Sequence, residues 1–195
     1  MKKIKILTLS DNPAGTSGVG LQTRFMIEGI LKTGKYQVIS LGGSVKPRST
    51  QPYKVEPWGD NWTIFPIEGM GSADLVRSIM RTECPDIIWF MTDPRQFEWL
   101  WMIENEIRPN VPLVYYTIWD NYPYPTFNKK YYDSTDVLVS ISKVTSDIVK
   151  TVAPNVEEHR IPHAVNTEIF KKLPKGETDK FADMVFRGKY DPNKF

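Results

Sequence analysis

The chain has 195 residues, 41% of them hydrophobic, enough for one full core and few for two complete domains. Its 25 basic and 23 acidic residues leave a formal net charge of +2, which lacks the concentrated basic surface of a general nucleic-acid binder. The single cysteine, Cys84, excludes an internal disulfide and any multi-cysteine zinc site and fits a cytoplasmic protein, and no window reaches the roughly 18–20 apolar residues of a membrane span.

The apolar run near the N-terminus is interrupted by Lys5 and is too short for a signal peptide, so Ile4–Leu9 reads as a first strand. A helix is expected at Val19–Thr33, with Phe25, Ile27, Ile30 and Leu31 turned toward a sheet and Gly34 as its stop. Strand Tyr36–Leu41 follows. Residues 43–61, with Pro47, Pro52, Pro57 and Gly59, read as an insertion that is loop or a short antiparallel excursion. Strand Trp62–Pro66, helix Ser72–Glu83, strand Asp86–Met91, helix Arg95–Ile107 and strand Leu113–Trp119 come next. Helix Phe127–Tyr132, strand Val137–Ile141, helix Lys143–Val152 and strand Glu158–Ile161 complete the series. This alternation predicts an α/β fold, a single doubly wound, Rossmann-like parallel sheet of about seven strands spanning residues 1–165. Residues 166–195 read as a linker and one further helix, Glu177–Lys189. The turn before Phe195 suggests the approach to another strand, so the chain is expected to be the front part of a longer protein, with a tail available for self-association.

In such a sheet, ligands bind beyond the carboxyl ends of the strands, where the strand order reverses. Gly15, Gly18 and Gly20 lie there, between the first strand and the first helix. Glycines allow close backbone approach, and a helix N-terminus at Gly18-Val19-Gly20 offers unpaired N–H groups to an anion. The same glycines would also suit nothing more than a tight strand-to-helix turn. A nicotinamide cofactor is disfavoured, because Val38-Ile-Ser-Leu-Gly-Gly43 supplies no acid for a ribose. Two other strand ends carry carboxylates, Asp93 in Thr92-Asp-Pro-Arg95 and Asp120 in Trp119-Asp-Asn-Tyr122. Of the many rings nearby, most read as core, Phe97 and Trp101 being spaced for one helix face, whereas Trp119, Tyr122 and Tyr124 lie past a strand end. His163 follows the last strand. His159 has no companion at metal-ligand spacing, so no metal site is expected.

Ile161-Pro-His-Ala-Val-Asn-Thr-Glu-Ile-Phe170 resembles the I-P-H-G-V-D-x-x-x-F signature that closes the first domain in many retaining glycosyltransferases of the two-Rossmann-domain (GT-B) architecture, in the group called family four. The glycine loop Gly15–Gly20, the strand end Tyr116-Thr-Ile-Trp-Asp120 and Val137–Ser146 agree in order and spacing, so the resemblance covers about residues 4–170. Ala164 and Asn166 replace the usual glycine and aspartate, and Trp119 stands where many relatives have histidine. Glu98 and Glu106 imitate the family's Glu-x₇-Glu pair, but that pair belongs to the second domain, and these two read as solvated helix residues.

The resemblance implies an acceptor-side domain of an enzyme that transfers a sugar from a nucleotide-sugar co-substrate to a hydroxyl acceptor, without metal or other cofactor. Gly15, Gly18, Val19, Gly20 and Arg24 would then face the donor phosphates. Asp93, Trp119, Asp120, Tyr122 and His163 would line the acceptor pocket, with Asp120 as the candidate catalytic group. A stand-alone nucleotide- or sugar-binding module remains the alternative.

Overall fold

The computed structural model describes residues 2–185 apart from Val45, Arg48, Ile169, Leu173, Lys175, Thr178, Asp179 and 181–183. Its strands are β1 (Ile4–Asp11), β2 (Tyr36–Gly43), β3 (Tyr53–Val55), β4 (Gly59–Pro66), β5 (Ile87–Met91), β6 (Leu113–Thr117), β7 (Val137–Ser140) and β8 (Glu157–Arg160). They form one eight-stranded sheet in the order β3-β4-β2-β1-β5-β6-β7-β8. Every neighbouring pair is parallel except β3–β4, which is antiparallel. The eighth strand, β3, is thus the short excursion inside the proline-rich insertion, and its edge position is where such a sequence is tolerated.

The helices are α1 (Gly18–Leu31), α2 (Ala73–Glu83), α3 (Glu98–Met102), α4 (Glu104–Ile107), α5 (Lys129–Asp133) and α6 (Lys143–Val152). Period-two alternation in β1 divides the core into two layers. Ile6 packs with Ile27 and Leu31 of α1 and with Val38, Trp62 and Ile64. Leu7 and Leu9 point the other way and join Val76 and Ile79 of α2, Leu100 of α3, Ile107 of α4, Tyr132 of α5 and Ile148 of α6. Helices therefore cover both faces, which is why the central strands are apolar on both sides. Phe25 and Ile30, expected with Ile27 and Leu31 against the sheet, are only half-buried. Buried hydroxyls on the α1 side are paired: Thr8 Oγ1 donates to Ser40 Oγ at 2.7 Å, and Trp62 Nε1 donates to the same oxygen at 3.0 Å.

The expected helix Arg95–Ile107 is broken into three pieces. A 3₁₀ turn at Pro94–Phe97 is capped by Asp93 and followed by α3, and Ile103, with φ −118° and ψ 11°, separates α3 from α4. Packing sets the breaks. Phe90 stacks on Tyr115 at 4.6 Å and takes Phe97 and Trp101 edge-on at 5.6 and 5.4 Å. These rings are core. Helix Phe127–Tyr132 is likewise a 3₁₀ turn, Thr126–Asn128, followed by α5. β6 ends at Thr117, which leaves Trp119 in the following loop.

From β1 the chain winds outward through β2 to β4, then crosses to β5 and winds in the other direction. The crevice at this reversal is flanked by the segments that follow β1 and β5. The chain divides into two compact units, Met1–Ala164 and Val165–Phe195. The expected tail helix Glu177–Lys189, and with it the self-association surface, falls largely outside the described residues. Among the described residues no helix is long and apolar enough to cross a membrane.

Candidate functional site

Asn12–Ser17 link β1 to α1 through their own hydrogen bonds. Asn12 N–H donates to Gly43 O at 3.0 Å, and Gly15 N–H turns back to Asn12 O at 2.8 Å. Ser17 is the N-cap of α1: its Oγ accepts Gly20 N–H at 3.0 Å and donates to Asp11 Oδ2 at 2.6 Å. A Cβ on Gly20 would lie 2.4 Å from Asn12 O, so this glycine is needed for α1 to approach the loop. A Cβ on Gly18 would meet nothing within 4 Å. The amides of Gly15 and Gly20 are therefore occupied within the loop. Those of Gly18 and Val19 open α1 with no acceptor among the described residues, at the positive end of the helix dipole. Arg24 Nε donates to Glu28 Oε1 at 2.8 Å, one turn further along α1, so its charge is shared away from these amides.

The same side of the edge holds His163. Gln22, one turn into α1, donates from Nε2 to Ala164 O at 2.9 Å and accepts Ala164 N–H on Oε1 at 3.0 Å. Tyr116 Oη donates to Ile161 O at 2.8 Å, and the rings of Tyr116 and His163 lie 5.7 Å apart. Segment 161–164 is thus pinned at both ends, with His163 between the pins. Burial pushes the Tyr116 phenol up to about 12 and lowers the His163 imidazole from its ordinary value, so the ring is predominantly neutral at pH 7. Val19 packs against Met91, Tyr116 and Val139, which places the α1 N-terminus over the same strand ends. Gln22 was not among the residues anticipated from sequence, because a polar side chain early in a helix carries no local sign of a distant partner.

A second group forms at the loops after β5 and β6. Arg95 donates from Nε and Nη2 to both carboxylate oxygens of Asp93, and Asp93 also accepts Arg95 N–H at 2.9 Å. The guanidinium lies 5.6 Å from the ring centres of both Trp119 and Phe127. Arg95 beside Asp93 holds its carboxyl below the usual carboxylate range. Thr92 has φ +131°, a conformation costly for a β-branched residue, and its carbonyl accepts Tyr115 Oη at 2.7 Å. Burial raises the Tyr115 phenol well above its ordinary value and keeps it a donor. Trp119 is half-buried against Phe127, whereas Asp120 and Tyr122 are exposed. Among the described residues Asp120 has no hydrogen-bond or ion-pair partner, not even in the backbone of its own turn. The anticipated residues thus sort into two groups: Gly18, Val19 and His163 at the α1 side, and Asp93 and Trp119 joined through Arg95, with Asp120 and Tyr122 following Trp119 on its exposed loop.

No protein-family model matches the chain, and no curated protein matches it in sequence. Solved structures do resemble it. Sucrose-phosphate synthase from Thermosynechococcus elongatus superposes with a TM-score of 0.57 and 10% identity, over 95% of this chain and 99% of that one. A glycosyltransferase from Rickettsia africae gives 0.57 and 16% identity over 98% of this chain and 51% of the other. OtsA in its apo form gives 0.55 and 12% identity, covering 93% and 55%. The chain spans about half the length of the last two. At these identities the likeness concerns the fold: the mostly parallel sheet and its helices have the Rossmann-like architecture of one half of a GT-B glycosyltransferase.

Proposed function

We propose that the chain is the acceptor-side half of a glycosyltransferase that moves a sugar from a nucleotide-sugar to a hydroxyl acceptor. The observation that carries this reading is the pair of unengaged amides at Gly18 and Val19, set at the strand-order reversal beside His163 and across the edge from the carboxylates and rings. Amides fixed by the Ser17 cap would stabilise charge as it builds on the leaving diphosphate, without reorganising at the moment of reaction. His163, neutral and held by its neighbours, would hydrogen-bond the sugar. The unpaired Asp120 would orient the attacking hydroxyl. The reading calls for no metal or other cofactor.

Half an active site does not turn over by itself. Holding donor and acceptor in register is worth on the order of 7–11 kcal/mol of barrier, and the donor's base and ribose need a second wall. The test is a titration of the ¹⁵N-labelled chain with uridine diphosphate and with pyrophosphate, followed by amide shifts. Gly18 and Val19 should move first and furthest, with Gly15 and Gly20 changing little. Silence at Gly18 and Val19 would overturn the phosphate assignment. Robust, sugar-dependent nucleotide release by these 195 residues alone would overturn the half-enzyme reading.

A further inference from the structure

We propose that the acceptor is an uncharged polyhydroxylated ring, a neutral sugar or glycoside, seated on the aromatic loop after β6, and that this loop discriminates against phosphorylated and carboxylated sugars. The inference rests on reading this edge as the acceptor side of a transferase and adds the chemical class of the acceptor.

The charges argue for it first. Arg95 is the cation packed against the Trp119 and Phe127 rings, and its Nε and Nη2 are already engaged by Asp93 in a two-point ion pair. The pair is fixed: Asp93 caps the turn that contains Arg95, and the Thr92 carbonyl beside it is tied to Tyr115. Nη1 remains as a donor of the kind a hydroxyl accepts. The next cations along the chain are also engaged, Lys129 with Asp133 at 2.7 Å and Lys130 over the Tyr131 ring at 4.7 Å. Asp120 alone of these charges has no partner. An acceptor phosphate or carboxylate would approach an unpaired negative charge while Arg95, Lys129 and Lys130 are already engaged, whereas a hydroxyl has an acceptor in Asp120 and a donor in Nη1.

The rings complete the argument. Tyr122, Phe127 and Tyr124 are 86%, 54% and 36% exposed within a six-residue span, which is unusual for bulky aromatics in a short loop. Tyr122 meets Tyr124 at 75° and Trp119 meets Phe127 at 77°, so ring faces are presented in two orientations on the loop that carries Asp120. A sugar ring has the matching surface, with apolar C–H faces and a hydroxyl perimeter. An anionic lipid surface does not, because the loop carries an unpaired carboxylate and lacks the cluster of basic residues such a surface attracts.

Saturation-transfer NMR and calorimetry on the chain would use methyl β-glucoside, methyl α-mannoside and maltose as neutral probes, with glucose 6-phosphate and glucuronate as charged ones. At least one neutral probe should bind with saturation of its ring-face protons, and its charged counterpart should bind at least about tenfold more weakly. Asp120→Asn should narrow that gap to within about threefold, and Tyr122→Ala should weaken neutral binding with the melting temperature unchanged. Equal or tighter binding of glucose 6-phosphate would overturn the proposal. So would Tyr122-dependent binding to phosphatidylcholine vesicles in place of sugars, which would make the loop a membrane contact. If uridine diphosphate moves Gly18 and Val19 but no sugar binds, this inference falls and the transferase reading stands. Failure of both titrations removes both.

Discussion

Replacing Gln22 by leucine tests how α1 holds segment 161–164. The Gln22 carboxamide makes two hydrogen bonds, at 2.9 and 3.0 Å, to the carbonyl and amide of Ala164, the last residue of the first compact unit. Leucine is similar in length and in helix propensity, so α1 should persist while both bonds are lost. A neutral hydrogen bond contributes about 0.5–1.5 kcal/mol net, giving roughly 1–3 kcal/mol for the pair. Ala164 is exposed, water can satisfy the freed groups, and the lower part of that range, about 1–1.5 kcal/mol, applies. The expected result is about a 5- to 12-fold faster exchange of the Ala164 amide by local opening. The His163 ring resonances should also shift as the contact with Tyr116 loosens, while amides in β1 and β5 keep their protection. Gln22→Glu retains the acceptor and loses the donor, so its effect should be intermediate. Unchanged exchange at Ala164 would refute the clamp, and acceleration spread evenly over the sheet would show that the substitution acts on global stability instead.

The glycines of the first loop should separate by substitution. Gly20→Ala forces a Cβ to 2.4 Å from Asn12 O and should cost about 1–3 kcal/mol in urea unfolding, whereas Gly18→Ala should fall within about 0.5 kcal/mol of the parent. Equal effects would mean that the loop yields to α1. Tyr115→Phe removes the 2.7 Å bond to the strained Thr92 and should destabilise by about 1–2 kcal/mol, with faster exchange confined to the loop after β5; an unchanged loop would refute the tether. Because the folded-state Asp93 carboxyl lies below its reference of 3.8, its pairing with Arg95 contributes stability above the unfolded value and loses it as pH falls through the lower folded one. Arg95 side-chain NMR shifts should therefore hold steady from pH 7 to pH 4 and change only in more acid solution; a transition between pH 5 and pH 4 would contradict the pairing. His163 runs in the same sense at a higher pH: partial desolvation lowers its folded value and favours the neutral ring, so contacts of segment 161–164 should weaken as pH drops below about 6.5, and strengthening there would be inconsistent with that desolvation.

The parallel sheet was legible because its causes are local. Alternation of Ile6 against Leu7 and Leu9 declares two buried faces, and the stop at Gly34 separates the first helix from the second strand. The break at Ile103 was not legible, since the apolar spacing runs through it and the interruption comes from Phe97 and Trp101 closing on Phe90 from another strand. The site divides in the same way. Asp93 and Arg95 are two residues apart and their pairing has a local origin, but Gln22 and Ala164 are 142 positions apart, and nothing in either marks the other. The three glycines of the opening loop make the point most sharply. They look alike in the sequence, yet Gly15 closes a turn on Asn12, Gly20 makes room for that same carbonyl, and Gly18 alone combines a free amide with open space. The composition of a loop says which groups are present. Its chemistry depends on which of them the fold has already engaged, and so the amides of Gly18 and Val19 and the carboxylate of Asp120 carry the functional argument here, where Arg24 and the charge of Arg95 do not.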